Sequence, residues 1–275
     1  MPATISKKEI ITKLRQLPSL PTIVQEVIAS FSDDDLDSVS LAHKISQDQG
    51  LSAKVLRVAN SSFYGLPRKV GSVQDAVVVL GLDTVRSLVL SAGMASAFPP
   101  SLGSLFDRQA YWQRSFRVAF IAKALATNFQ QNQQLAYTAG TFHDIGQLVL
   151  DLCIPERYSA LLVRHAPTDL LLLEVERSDL GFDHAEIGAE VVRLWNFPQE
   201  IEQVVRYWHR PEQQEAFDPL VCLVHIAAAL ERGVSGEDLI AGLSKTACSR
   251  MSMTWGSIEA CLPQPEQLEA AASLA

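Results

Sequence analysis

The sequence is poor in the features that mark several protein classes. It has four cysteines in 275 residues, Cys153, Cys222, Cys248 and Cys261. No two have C-x-x-C spacing, which argues against a thiolate metal centre, a redox motif or a disulfide framework. Each sits in an apolar, helix-like context, as buried free thiols do. No apolar run approaches the roughly 20 residues of a spanning helix, and residues 1–10 hold no apolar segment of a secretory signal. Positive charge is in deficit: 23 Lys and Arg against 31 Asp and Glu give a formal net charge of −8. An acidic surface repels phosphate backbones and anionic lipid, so neither nucleic acid nor membrane is an expected partner, although a local basic patch is compatible with this balance. There is no glycine-rich phosphate loop and no EF-hand spacing after Ser32-Asp-Asp-Asp35. No internal repeat is present, and no hairpin turn lies between alternating runs. A soluble, cytoplasmic chain is expected.

What the chain does have is helical periodicity from end to end. A hydrophobic content of 48%, with 20% charged residues of both signs interspersed, is enough for a substantial core. Ser6-Lys-Lys-Glu9 reads as a capping box, and Pro21 opens a helix over Thr22 to Phe31. Ser38 to Gln47 forms a short helix with Val39, Leu41, Ala42 and Ile45 inward. Ser72 caps a run to Leu80, Gly81 breaks it, and Asp83 caps a helix to about Ala97. Val77-Val-Val79 lies inside a 3.6-residue pattern and stays helical. The prolines of Phe98-Pro-Pro-Ser-Leu-Gly-Ser104 mark an internal boundary. A long helix over Phe106 to Phe129 follows, then one carrying His143 and Asp144. Asp183 caps the helix that opens with His184, Pro198 opens one running to Trp208-His209, and Pro219 opens the next. The fold class is therefore all-α, with an N-terminal helical subdomain (5–98), a helical bundle (99–231) and a C-terminal helical extension (232–275) that frays in part. Trp112, Trp195 and Trp208 suit core positions better than a base-stacking platform. His43 and His165 suit the surface or its boundary, and His225 reads as a satisfied core histidine.

The chemistry concentrates in Thr138 to Leu150, where His143 and Asp144 stand together in an apolar run. Adjacent residues on a helix are about 100° apart, so both side chains can lean into one cleft. An imidazole and a carboxylate converging there suit a divalent metal. They equally suit a buried, hydrogen-bonded pair.

Seven segments come in a recognisable order: Leu17-Pro-Ser-Leu-Pro21, Asn60-Ser-Ser-Phe-Tyr-Gly65, Ala76-Val-Val-Val-Leu-Gly81, Tyr111-Trp-Gln-Arg-Ser115, His143-Asp-Ile-Gly146, Gly181-Phe-Asp-His-Ala-Glu-Ile-Gly188 and Leu194-Trp-Asn-Phe-Pro198. Over roughly Ile10 to Glu231 the chain resembles the HDOD domain family. The resemblance implies an N-terminal helical subdomain packed on an HD-like bundle. It also implies kinship with the HD-type metal-dependent phosphohydrolases and HD-GYP cyclic-dinucleotide phosphodiesterases, and non-catalytic use as a bacterial signalling output or interaction module.

The active HD site that this resemblance brings to mind uses a first histidine, the His-Asp doublet, further histidines and a last aspartate. Here Arg114, next to Ser115, stands at the first place, and Ala228 stands at the last. His143, Asp144, His184 and His209 remain, as the ligands of a vestigial metal site. Losing an imidazole and a carboxylate from different helices removes two donors that a catalytic ion needs. Arg114 adds a charge that persists at any working pH and suits pairing with Asp144. No catalytic residue and no obligatory cofactor are expected, and a divalent ion (Mn, Fe, Zn or Mg) only if the residual site binds one. The expected partner is a signalling protein or a small ligand in the groove between the two parts, with Asn60, Ser61 and Tyr64 as candidate contacts, although a plain C-cap explains them too. No attached receiver, cyclase or kinase region is expected, so the signal is expected to arrive through a separate molecule. The alternative is a metal-dependent phosphohydrolase or cyclic-dinucleotide phosphodiesterase with a reduced ligand set. A scaffold associating through Leu170–Leu173 is a third reading, but that face is more simply core. The oligomeric state is open.

Overall fold

Polar side chains just ahead of apolar runs set most helix starts. A computed structural model describes residues 6–14, 20–29, 38–61, 66–98, 105–164, 169–243, 250–273 and 275. Ser6 and Glu9 form the expected reciprocal contacts, Glu9 N–H donating to Ser6 Oγ and Ser6 N–H to the Glu9 carboxylate, and α1 (Lys7–Leu14) follows. The N-terminal part continues with α2 (Thr22–Ala29), α3 (Ser38–Gln47), α4 (Gln49–Ala59), α5 (Val73–Leu80) and α6 (Leu82–Ala97). Asp48 caps α4 and Ser72 caps α5. Two expectations fail here. Asp83 is no cap, because α6 starts at Leu82 directly after Gly81, whose φ of 83° already turns the chain. Val39 is 68% exposed instead of inward.

The bundle consists of α7 (Arg108–Asn128), α8 (Gln133–Phe142), α9 (Ile145–Cys153), α10 (Pro155–Arg164), α11 (Asp169–Leu180), α12 (His184–Leu194), α13 (Gln199–Tyr207) and α14 (Pro219–Glu231). Asp107, Asn132, Asp183 and Asp218 cap α7, α8, α12 and α14. After them come α15 (Gly236–Gly242), α16 (Trp255–Glu259) and α17 (Pro265–Ala272). The described residues contain no strand, so the fold is all-α. No helix among them is long and apolar enough to cross a membrane.

Helix α7 is the spine. It packs on α8, α14 and α17, while α12 lies across α9 and α13. The C-terminal helix α17 buries Ala271 and Ala272 and packs on α7. In the N-terminal part α2, α4 and α5 pack on α6, and α6 meets the bundle at α8. Ser91 Oγ and Tyr137 OH share a buried hydrogen bond of 2.8 Å across that junction. Helix α1 lies away from its sequence neighbours, against α9 and α12. Lys7 pairs there with Glu186 at 2.6 Å, and Lys13 Nζ donates to the Cys153 carbonyl. One contiguous apolar core runs from Ile10 to Ala271 through both parts. Leu172 and Leu173 are buried and Leu171 is half exposed, which favours the core reading of that run. Cys153 and Cys222 are buried free thiols, Cys261 is partly buried, and Cys248 lies outside the described residues.

Two close helix approaches depend on glycine. A Cβ on Gly140 would run into the Ala119 backbone of α7, and a Cβ on Gly146 would overlap the His184 carbonyl of α12. Gly188 lies opposite Gly146, and a Cβ there would come within 3.0 Å of the Gly146 nitrogen. Gly146→Ala must therefore push α9 and α12 apart, with an expected cost of at least the roughly 1–3 kcal/mol of core overpacking. Urea unfolding should show this as a lowered midpoint, while Gly242→Ala, where nothing lies within 4 Å of the added atom, leaves the midpoint nearly unchanged.

Candidate functional site

The doublet does not lie inside a helix. Helix α8 ends at Phe142, His143 keeps helical dihedrals (φ −48°, ψ −33°), and Asp144 (φ −118°, ψ 18°) breaks the hydrogen-bond ladder before α9 begins. His143, 1% exposed, places Nδ1 2.6 Å from the Gly140 carbonyl oxygen and packs its ring edge-on against Trp208. Asp144 is 2% exposed. Its Oδ2 accepts from Arg114 Nη2 at 3.1 Å and from Gln147 Nε2 at 2.6 Å.

His184 reaches Asp144 from the start of α12. Glu176, on α11, fixes it by accepting from the His184 backbone N–H at 2.8 Å and from Nδ1 at 2.6 Å. The other oxygen of Glu176 accepts from Tyr158 OH at 3.0 Å. On its far side His184 Nε2 lies 2.7 Å from His209 Nε2 and 3.1 Å from Asp144 Oδ1. Asp144 Oδ1 nevertheless has no aligned donor. The contact between the two Nε2 atoms has hydrogen-bond geometry, and the one with Oδ1 is electrostatic. His209 follows α13, its ring against Trp208, and Arg232 lies over the same indole, its guanidinium carbon 5.9 Å from the ring centroid.

These groups set one another's charge. Burial alone would raise the Asp144 pKa, but His184, Arg114 and His143 outweigh it and hold the carboxyl well below its ordinary value. Burial opposes a charged His184, and Glu176 and Asp144 on either side overcome it and hold the imidazole protonated well above its ordinary value. His209 moves the opposite way, pushed down by burial and by the neighbouring His184. A neutral His209 Nε2 can then accept the His184 Nε2–H; this tautomer follows from the charges. Arg114, Asp144, His184 and Glu176 thus form a chain of alternating charge through α7, the α8–α9 joint, α12 and α11.

Asp144, His184 and His209 are also a group that could hold a metal ion, their ligand atoms lying within 4.8 Å of one another. In kind the donors fit: two imidazoles and a carboxylate, one imidazole oriented from behind by Glu176 as metal-bound histidines are, and a buried carboxylate oxygen without a hydrogen bond. In position they do not. The 2.7 Å between the two Nε2 atoms is a hydrogen bond, shorter than the roughly 3.3 Å that separates two ligands on a tetrahedral ion with bonds near 2.0–2.1 Å. The proton between them occupies the lone pair a metal would use, and Arg114 holds a fixed charge against Asp144. An ion could enter only after His184 releases a proton and the two rings part. His143 is outside the group, and Ala228 offers a buried methyl on α14.

The sequence predicted the Arg114–Asp144 pairing and most of the cluster, but not Glu176, Gln147 or Tyr158. A signal for Glu176 existed, because it lies four and three residues after the buried Leu172 and Leu173 and so shares their inward face. The expected groove contacts are not brought to this cluster. Asn60 is spent on backbone: Nδ2 donates to Leu56 O and Val70 O, and Oδ1 accepts from Val70 N–H. Ser61 Oγ donates to Val58 O, and Tyr64 lies outside the described residues. His225 is satisfied, with Nδ1 2.8 Å from Trp208 O, and His43 is exposed. His165 also lies outside the described residues. Trp112 and Trp208 are buried and Trp195 is half-buried.

Comparison with known proteins agrees with this architecture. The HDOD domain family matches residues 17–211. Cyclic di-GMP phosphodiesterase CdgJ of Vibrio cholerae serotype O1 is 25% identical over 225 residues, 73% of this chain and 50% of that protein. The chain spans about half the length of the curated relatives it matches, 44% and 50%. Among solved structures, a Shewanella amazonensis SB2B protein provisionally named a phosphohydrolase is 26% identical with a TM-score of 0.79, covering 99% of this chain and 100% of its own. A Marinobacter aquaeolei VT8 protein provisionally named for signal transduction is 26% identical with a TM-score of 0.75, covering 96% of this chain and 60% of its own.

The buried histidines make stability depend on pH in both directions. Burial pushes His143 down to about 4 from its ordinary 6.5. The unfolded chain therefore takes up a proton that the native state refuses, and stability falls as pH drops from 6.5 towards 4. His184 is raised, so its contribution is complete below 6.5 and is lost as pH climbs through its native pKa. Urea midpoints across this range should peak between the two limbs. His143→Asn should flatten the acid limb, and the slope is the readout, whatever the substitution does to the absolute midpoint.

Proposed function

The chain belongs to the HDOD domain family, and we propose that it is a cytoplasmic bacterial signal-transduction output module that binds a protein partner or small ligand without hydrolysing it. The observation that carries this reading is the Arg114 guanidinium on Asp144 Oδ2 at 3.1 Å. Phosphoester hydrolysis by an HD-type centre needs a divalent ion with open positions for water and a phosphoryl oxygen. In this chain the carboxylate that would anchor such an ion is neutralised from within, and Ala228 supplies no second carboxylate. Asp144, His184 and His209 are better explained as a polar anchor joining the bundle helices than as a reaction centre.

A second reading, a metal-dependent phosphohydrolase or cyclic-dinucleotide phosphodiesterase with few ligands, is favoured by the surviving Asp144–His184–His209 group. In that case these three side chains would hold the ion, and the ion would activate water and polarise the phosphoryl group. A panel of phosphate esters and cyclic di-GMP, run with Mn, Fe, Zn and Mg, separates the two. No turnover above background and no tightly held stoichiometric metal are expected. Arg114→His, which removes the fixed charge and adds an imidazole, should raise divalent affinity by about ten- to a hundredfold, the range typical of changes around a metal site. Turnover by the natural chain that vanishes in Asp144→Asn would sink the proposal.

A further inference from the structure

Helix α5 carries a face that the core does not explain. Val73 and Ala76 are buried, while Val78 is 84% exposed and Val79 49%. Valine on the solvent side of a helix loses side-chain freedom and gains no burial, so neither propensity nor packing favours it there. The two valines line a groove of about 380 Å³ together with Arg68, Lys69, Val70 and Asp75. The segment holding the two cations is fixed by Asn60, whose side-chain amide brackets Val70 with one hydrogen bond to its N–H at 2.8 Å and one to its carbonyl at 2.9 Å. Arg68 and Lys69 are exposed, and no ion pair engages them among the described residues. The result is a small apolar strip beside two adjacent cations, on a chain whose net charge is −8.

We propose that this groove docks an acidic amphipathic helix of a partner protein, its apolar residues on Val78 and Val79 and its carboxylates on Arg68 and Lys69. Exposed apolar side chains rimmed by charge mark interaction surfaces, and the rim's two cations, against the single carboxylate of Asp75, select an anionic partner. Nucleic acid fits poorly, because no aromatic side chain among the described residues lines the groove to stack a base and the acidic balance of the chain repels phosphate. A second copy of this chain fits poorly too, since two-fold pairing of the same patch would bring the cationic segments towards each other. Helix α5 is roughly 12 Å long, so it can cover about two turns of a partner helix. An interface of that size points to a transient contact.

The inference deepens the reading of this protein as an interaction module and rests on it, but it concerns a surface apart from the histidine cluster, so the two fail separately. Short random peptides displayed on phage are selected on the natural protein and counter-selected on Val78→Asp. Enriched peptides are then synthesised, and their binding is followed by fluorescence anisotropy. The expected winners carry Asp or Glu with Leu, Ile or Phe at helical spacing. They should lose at least about tenfold in affinity, the equivalent of 1.4 kcal/mol, both on Val78→Asp and on the double change Arg68→Glu with Lys69→Glu, and should weaken as salt is added. Circular-dichroism melts should match the natural protein, because all three side chains are at the surface. Recovery of no Val78-dependent peptides, or of peptides without acidic residues, would overturn the proposal. So would a dimer in light scattering that Val78→Asp dissociates, because the occupant would then be a second copy. Turnover in the hydrolysis panel would remove the non-hydrolytic reading and leave this result standing.

Discussion

A carboxylate that is 2% exposed has to be answered by positive charge, and the Asp144 side chain sets that demand on the bundle. An isolated buried carboxylate costs several kcal/mol after relaxation. It can take a proton, bind a metal or attract charges from the chain. This chain supplies two cations of different kinds: a permanent guanidinium from α7 and a proton held on His184 by Glu176 behind it. Arg114 keeps its head in contact with water, its side chain being 37% exposed, so it gives up less hydration than a fully buried cation would. Neither ion pair is the main source of stability, since well-packed apolar residues of similar volume often do as well. The core supplies the driving force. We infer that the polar chain decides which helix faces meet.

That matching needs the backbones close together. Helix axes normally lie about 8–10 Å apart, at a distance set by the side chains between them. Glycine at positions 140, 146 and 188 removes those side chains where α8 meets α7 and where α9 meets α12. The first approach brings the end of α8 beside the helix that carries Arg114, and the second brings the residues after Asp144 against the start of α12, where His184 stands. The sequence Asp-Ile-Gly is therefore a packing device as well as part of a candidate site. The carboxylate and the glycine that lets its partner reach it are two residues apart.

Sequence alone was enough for the all-α class, the caps formed by Ser6, Ser72 and Asp183, and the pairing of Arg114 with Asp144. Caps are legible because the residue that bonds the free amides is adjacent to them. The break at the doublet was not, because His143-Asp144 within an apolar run looks like helix interior until the positions of α7 and α12 are known. Asn60 is legible only in part: it caps the end of α4, as its place in the sequence allows, but its amide also turns back onto Val70, and that contact crosses ten residues of chain. Helix α17 carries a weak signal, Ala-rich with few large side chains, and its packing on α7 is not written in it. Val39 and Val78 could not be placed outside by their character. They are apolar residues in helical periods, and only the packing of α3 and α5 shows which side is left over.

The difference between a centre of this kind and a metal centre can be put as a competition between cations. The same three donors, Asp144, His184 and His209, can face either a divalent ion or the pair of internal charges, but not both at once. A divalent ion within about 5 Å of a guanidinium meets a repulsion of several kcal/mol at an effective dielectric near 20. To admit the ion, Arg114 must swing into solvent and His184 must release the proton it shares with His209. Both events are unfavourable for the same reason: each strips Asp144 of charge before the ion arrives to restore it. Arginine at position 114 thus does more than offer no ligand. Its pairing with Asp144 stabilises the ion-free arrangement of Asp144, His184 and His209, in which the three side chains serve as a structural network.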